Sequence, residues 1–484
     1  PNEFMPENLK LMTLDKEIKY PILLRSDEMF EVWYKQDDEF LLPKAILLMH
    51  IENPISNATP HNANLTFLFL NLVKDAFNEY IYAATLAGLK CNMTFRNHGL
   101  TVMIHGFSDK QDVLLKVILN KMTKLELCEK RFEIIKEAYK RPLKNFKMDQ
   151  PLIHASHNLE VLLSSRTWTN DNLLSCLDES SPEKLREYIP KLFSQLFIKC
   201  FLYGNLQESV VTNIIDTIQA IMIGPMETKP LLPSQRNRDR ELRLVEGSHQ
   251  VLQIENPIHQ TSAVLVYLQC FEESTHNNAL IELFVQILSQ PCFNVLRTTE
   301  QLGYIVSSST RGELGVRGVK IFIQSSHRPR FVDSRIEAFL ASLEEKLNTM
   351  SEEEFQRHIS SLASRRLEIP KNFTEYFFKI FQELLSQQYH FERDQIEVEV
   401  LRKLTLDDIK KFYKDYIHRD GPKRRKLAIH VAPDFTNEED QKVDLLPGIK
   451  MEVIREEQIW DFRNRHGFHA PSVPFVDKNQ FKLN

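Results

Sequence analysis

The sequence predicts an α+β fold of two homologous units, each a mostly antiparallel sheet packed with helices. Three observations predict it. At 484 residues the chain is longer than one hydrophobic core usually supports. Without a gap, residues 61–89 (HNANLTFLFLNLVKDAFNEYIYAATLAGL) lie over residues 276–304 (HNNALIELFVQILSQPCFNVLRTTEQLGY), an offset of 276 − 61 = 215 that sets Leu65 on Leu280, Phe69 on Phe284 and Gly88 on Gly303. Short β-rich runs also alternate with long helical patterns in the same order in both halves.

Taken in order, residues 1–14 hold prolines and few periodic apolar positions, as in a linker or docking arm. Residues 15–240 make the first repeat. Within it, residues 30–51 form two β-rich runs about a polar QDDE turn, the second apolar on both faces like a covered strand. The helix of 61–89 follows, and then Leu100, Val102 and Ile104 alternate after an Asn97-His98-Gly99 turn, a hairpin signal. Helices are expected over 109–125 and 129–143, another after the Ser-Pro-Glu cap near Ser181, and a strand at KCFLYGNL (199–206). Residues 222–240 concentrate proline and polar side chains and mark the domain boundary.

Residues 241–433 make the second repeat. VLQIENP (251–257), TSAVLVYLQC (261–270) and GVKIFIQSS (318–326) read as strands, and residues 330–347 as a helix. MSEEEFQRHISSLASRRLE answers CEKRFEIIKEAYKRPLKN with Phe355 over Phe132, an offset of 355 − 132 = 223, so about eight residues are gained, placed near RGELGVRG (311–318). TLDDIKKFYKDYI (405–417) answers SPEKLREYIPKLF, and KLAIHVA (426–432) answers the KCFLYGNL strand. Residues 434–484 are polar and weakly patterned, a tail that wraps or frays.

Composition excludes several classes. Hydrophobic residues at 42% and charged residues at 26% are ordinary for a soluble globular protein. A net charge of −5 does not suggest a nucleic-acid or membrane binder. The six cysteines form no CxxC pair and read as free thiols in a reducing compartment. With no run of membrane-spanning length and no signal-peptide pattern, the cytosol is the expected location. The first residue is Pro rather than Met, as in a fragment or processed piece.

Residues 289–306 hold the most informative chemistry. Arg297 and Tyr304 lie seven residues apart, which on a continuing helix ended by Gly303 puts them on one side, two turns apart. A guanidinium and a phenol so placed could hold a peptide carbonyl or a developing oxyanion. The competing reading is an Arg capping helix carbonyls and a Tyr filling core. The repeat bears on this choice. Tyr82 stands at the position of Arg297 and Leu89 at that of Tyr304, whereas residues needed only by the fold would be expected in both copies.

His154, His157 and Glu160 recur at i, i+3 and i+6, but no third His, Cys or acidic cluster completes a metal site, so a solvated helix face is the expectation. HxxEH, HExxH, GxSxG and GxxxxGK[ST] are all absent. Basic residues cluster at Arg328 and Arg330, at Arg365, Arg366 and Lys371, and at 423–426, as solvated surface or as an anion-binding patch.

FEVWYKQDDEFLLPKA, NEYIYAATLAGL, EKRFEIIKEAYKR, TKPLLPSQ, PCFNVLRTTEQLGYIV and EEEFQRHISSLASRRLE, in this order along the chain, resemble the C-terminal half of the insulinase, or pitrilysin, family across residues 1–433. The resemblance implies four homologous domains in two bowl-shaped halves that close around a peptide, with this chain as the third and fourth. It implies a zinc metalloendopeptidase whose HxxEH and further Glu belong to the N-terminal half, so that half and peptide substrates are the expected partners and the isolated chain is expected to be inactive. The family's substrate-gripping Arg and Tyr fall on Arg297 and Tyr304, and an aromatic lining the cleavage pocket falls on Phe293, with Cys292 beside it. A nucleotide or polyanion effector loop falls on residues 368–374, where only Lys371 is basic, leaving Arg365 and Arg366 to compensate. Pairing with another copy is a further expectation. The reading from a different class is a stand-alone peptide-binding module or pseudoenzyme without proteolytic activity.

Overall fold

Two sheets of the same strand order carry the chain. A computed structural model describes residues 2–14, 18–96, 99–236, 238–312, 314–442 and 444–483, without the side chains of residues 439, 441, 444, 446 and 449. The first sheet contains β1 (Ile22–Ser26), β2 (Phe30–Gln36), β3 (Lys44–Glu52), β4 (Leu89–Arg96), β5 (Gly99–Phe107) and β6 (Gln195–Gly204) in the order β1-β2-β6-β3-β5-β4, with β7 (Lys229–Pro230) beside β6. The second contains β8 (His249–Glu255), β9 (Ser262–Glu272), β10 (Ile305–Arg311), β11 (Val316–Ser325) and β12 (Lys426–Ala432). With β15 (Glu452–Arg455) its order is β10-β11-β9-β12-β8-β15, and β13 (Asp444–Leu446) and β14 (Ile449–Lys450) form a separate ribbon. Strand for strand, β2-β6-β3-β5-β4 repeats as β8-β12-β9-β11-β10. In both units the β2–β6 and β8–β12 pairs are parallel and the strands beyond run antiparallel. Of the hairpin turn between β4 and β5, Asn97 and His98 lie outside the described residues.

Helices cover one face of each sheet with that unit's own residues. The first core gathers α1 (Pro60–Leu86), α2 (Gln111–Thr123), α3 (Glu129–Asn145), α5 (Asn170–Leu177), α6 (Pro182–Leu192) and α7 (Glu208–Ile218). The second gathers α8 (Thr275–Cys292), α9 (Pro329–Thr349), α10 (Glu352–Arg366), α12 (Arg393–Leu401) and α13 (Leu406–Phe412). α8 turns its apolar stripe of Leu280, Leu283, Phe284, Ile287 and Leu288 inward, and outer helices such as α10 and α12 pack on it, as α3 and α5 pack on α1. The extra length of the second copy is not mainly in the 311–318 turn. It lies in α9, 21 residues long against 13 in α2, whose added turns bury Leu343 and Leu347.

The other face of each sheet is covered by a helix from the opposite half. Central strands such as β3 are buried on both faces, so each sheet needs a second cover. α4 (Pro151–Leu163), early in the sequence, places Leu159, Leu162 and Leu163 on Leu252, Leu265, Leu427 and Ile429 of the second sheet. α11 (Phe373–Leu385), late in the sequence, places Phe373, Phe377, Ile380 and Leu384 on Trp33, Ile46, Leu48, Phe201 and Tyr203 of the first. A boundary at residue 240 therefore separates the strands but not the two cores.

The described residues past 433 wrap rather than fray. β15 pairs with β8 in parallel, and α14 (Ile459–Asn464) buries Ile459 and Phe462 in the core beneath α4. Leu242 bridges to Phe468, the Phe475 ring stacks on His390 at 5.0 Å, and Leu23 of β1 bridges to Lys482. The tail thus straps both units. The N-terminal arm docks as well, with Phe4 buried and Asn2 Nδ2 donating to the Ala83 carbonyl (2.7 Å). Contrary to expectation, one helical stretch, Thr275–Thr299, is long and apolar enough to cross a membrane, but 56% of its apolar window is buried and it is the second unit's core helix.

Candidate functional site

α8 begins at an N-cap, Ser274, whose hydroxyl accepts from the Asn277 amide (3.1 Å). Near its end stands Pro291, which has no amide to donate and crowds the preceding turn. From Phe293 to Thr299 the helix widens into a π-turn. The chain then folds back: the Glu300 amide donates to Val295 O (2.9 Å) and the Leu302 amide to Leu296 O (3.0 Å), with Gln301 at φ +53°. Buried Leu296 and Leu302 anchor the loop, and the Glu300 carboxylate accepts from the Arg335 guanidinium of α9 at 2.7 and 2.8 Å.

This loop brings three residues together. The Arg297 guanidinium carbon lies 4.8 Å from the Phe293 ring centre and 5.3 Å from the Tyr304 ring centre. The expected reason was wrong, however. Tyr304 is not on a continuing helix, because regular helix stops at Cys292, and it reaches Arg297 through the fold-back. Gly303 does not end the helix either. It presses against β11, where a Cβ would lie 1.9 Å from the Gln324 carbonyl oxygen, so only glycine fits. Tyr304 is 84% exposed and Phe293 40%, so the reading of Tyr304 as a core residue fails. In the first unit α1 stays regular to Leu86, with Tyr82 exposed on its surface and Leu89 buried in β4, and no such stack forms.

Cys292, beside Phe293, is 1% exposed, and burial pushes its thiol up to about 12. It is an inert core thiol and does not line an open pocket. α8, β10 and α10 line a half-open polar cavity of about 440 Å³ that includes Ser289, Ser308, Thr310, His358 and Arg365.

The three basic residues do not converge. Arg366 is 22% exposed and donates to Glu282 (2.6 Å), Asp394 (3.1 Å) and Glu397, which neutralise it internally. Lys371 is exposed and pairs with Glu368 (2.7 Å). Arg365 faces the cavity. His154, His157 and Glu160 also differ from the solvated face expected. The two imidazoles flank Phe146, with ring centres at 4.4 and 4.8 Å, burial lowers both pKa values, and Glu160 accepts from Arg311. Among the described residues no group of three or more His, Cys, Asp or Glu side chains could hold a metal ion.

The basic run 423–426, expected as solvated surface or an anion-binding patch, instead sends Arg424 and Lys426 into a buried charge cluster between α9 and β12 that sequence reasoning missed. Lys426 Nζ, fully buried, donates to Asp333 (2.5 Å) and Glu337 (2.6 Å), Arg424 donates to Glu337 (2.7 and 2.9 Å), and His430 Nε2 lies 2.8 Å from Asp333. Burial raises the Asp333 pKa, but Lys426 and His430 outweigh it and hold this carboxyl well below the usual range. The signal was present as Asp333 and Glu337, four apart on an otherwise apolar helix face.

Comparison with known proteins fits this architecture. The family described as the middle or third domain of peptidase_M16 matches residues 1–176, and that described as PQQ synthase PqqF-like, C-terminal lobe domain 4, matches residues 283–380. Insulin-degrading enzyme of Bos taurus and that of Homo sapiens are each 44% identical over 431 residues, 89% of this chain and 42% of theirs. Arabidopsis thaliana insulin-degrading enzyme-like 1, peroxisomal, is 31% identical over 476 residues, 97% of this chain and 49% of its own. The chain therefore spans about half the length of the curated relatives it matches. The crystal structure of pitrilysin superposes with a TM-score of 0.85 at 18% identity, over 97% of this chain and 49% of that one, and shares the fold. The peptidase M16 inactive domain from Pseudomonas fluorescens does so at 0.61, over 86% and 98%. Paired α+β units, matches to third and fourth domains and 44% identity along most of its length together establish that the chain belongs to the insulinase (pitrilysin, peptidase M16) family.

Proposed function

We propose that this chain is the substrate-gripping C-terminal half of a zinc metalloendopeptidase that degrades small peptides enclosed between two bowl-shaped halves. Residues 15–240 would form the family's third domain, 241–433 the fourth, and 434–484 a strap across both. The observation that carries the reading is the exposed stack of Phe293, Arg297 and Tyr304, present in only one of two otherwise matching units. Arg297 would hold a backbone carbonyl of the substrate, Phe293 would pack on a side chain beside the scissile bond, and Tyr304 would donate to the oxygen that gains charge as that bond is attacked. Among the described residues no set of side chains fits a zinc ion, so no step on the metal is assigned to this chain, which alone is inactive on this reading. An N-terminal half with HxxEH supplies that chemistry. Arg365 and Lys371 would serve a nucleotide or polyanion effector, with Arg366 engaged elsewhere. Association with a second copy and a cytosolic location complete the proposal.

Tyr304→Phe, in the chain joined to its HxxEH-bearing half, is the test. It keeps the ring and removes the donor, and should lower kcat by roughly 10²-fold or more. Tyr82→Phe, the matching position of the first unit, should leave turnover unchanged. Wild-type kcat and KM for Tyr304→Phe, or equal losses in the two variants, would return Tyr304 to a surface residue.

A further inference from the structure

Edge strands invite pairing with other chains, and folded proteins usually protect them with charge, brevity, bulges or cover. Among the described residues, three of the four edges of the two large sheets are protected. β1 is irregular between Leu23 and Arg25 and is bridged by Lys482. β4 carries Lys90 and Arg96. β15 is four residues long, with Glu452 and Arg455 at its ends. β10 has none of these devices. Its sequence, IVSSSTR, pairs with β11 in unbroken register over all seven residues, without proline or lysine. Its one charge, Arg311, is buried and engaged with Glu160 and Glu241. Among the described residues no strand pairs with its outer edge.

The surroundings suit a guest strand. Ser307, Ser308, Ser309 and Thr310 are small, so their side chains do not block approach to the backbone. The polar cavity of about 440 Å³ lies on the helix side of this edge, in the range that accommodates side chains. Tyr304 immediately precedes the strand.

We propose that β10 is a docking strand, and that an extended peptide segment pairs with its free edge as an added strand. Alternate side chains of the guest enter the cavity between α8 and α10, and one end of the guest runs toward Arg297 and Tyr304. Backbone pairing makes the site tolerant of sequence, and seven residues set a guest of about 20 Å. That this guest is substrate rests on the function proposed above; the docking itself does not.

A soluble nine-residue peptide of alternating Thr and Val, and the same peptide N-methylated at alternate amides, separate the two claims. Binding to the full chain is read by fluorescence anisotropy, and amide hydrogen exchange is read over residues 305–311. The plain peptide should bind, should slow exchange in β10 roughly tenfold or more, and should bind roughly tenfold more tightly than the N-methylated one. Ser307→Lys, which gives the edge a charge like that of β4, should weaken binding similarly, with the circular dichroism spectrum unchanged. Binding that depends on Arg297 while β10 exchange stays the same would overturn the docking strand and leave the gripping residues standing. Protection of β10 that is indifferent to Arg297→Ala and Tyr304→Phe would do the reverse. No binding at millimolar peptide, or β10 amides already protected in a self-associated chain, would also overturn it.

Discussion

Replacing Lys426 with Met gives the most direct test of how the second unit is held. The ammonium is fully buried and satisfies two buried carboxylates at 2.5 and 2.6 Å, one on each of two turns of α9. A methionine fills similar volume, so packing changes little, but Asp333 keeps only His430 and Glu337 only Arg424. Removing one partner of a buried ion pair costs about 3–5 kcal/mol, because the remaining charge stays desolvated. Arg357→Met, which breaks a bridge to Glu353 at 3.2 Å between two exposed side chains, should cost less than about 1 kcal/mol. Urea unfolding followed by circular dichroism measures both. The pH dependence adds a signature. Asp333 is depressed in the folded state, so its contribution is complete above the ordinary carboxylate range near pH 4 and is lost as pH falls below it. Lys426→Met should flatten that acid limb. If both variants cost the same small amount, the cluster is not what fastens α9 to β12.

Three further outcomes follow from the same structure. Phe377→Ala, emptying a fully buried site stacked on Phe201 at 4.9 Å, should cost about 3–5 kcal/mol by urea titration, against less than about 1 for the more exposed Phe378→Ala; equal costs would mean that α11 does not secure the first sheet. His249 is buried, and desolvation lowers its pKa to about 3, so the unfolded chain takes up a proton that the folded one refuses; stability should fall as pH drops below about 6.5, by about 2 kcal/mol from this group at pH 5, and His249→Phe should remove that slope. Cys292 should resist a bulky alkylating reagent in the native chain and react only on unfolding, as mass spectrometry would show; rapid native labelling would contradict its burial.

How much of this was legible depends on the range of the interaction. The repeat made the succession of strands and helices along the chain legible in both units, because each element carries its own periodicity and the two copies check each other, but the order of the strands across each sheet was not readable. The start of α8 is local and was legible from its match to α1. The fold-back at 300–303 was not, because a proline followed by a π-turn leaves the same apolar spacing as a regular helix until the backbone bonds are known. Tyr304 was therefore placed beside Arg297 for the wrong reason. β3 was readable as covered on both faces, yet nothing in its own residues says that Phe377, more than 300 positions away, supplies the cover. Residues 434–484 looked unstructured because they attach by single strands and isolated rings, Phe462, Phe468 and Phe475, rather than by a periodic face.

The crossing of α4 and α11 has a meaning for ancestry. Each unit fills the same gap in the other, so the two exchanges are related as the contacts of a two-fold dimer are, patch for patch. A single-repeat ancestor with this arrangement would have paired with its own twin by trading helices, and joining two such chains end to end would preserve the trade unchanged. The segment around residues 222–240 then records a fusion. Cutting it would break continuity of the chain while each piece still held a helix of the other, so the nicked protein should stay together as one body.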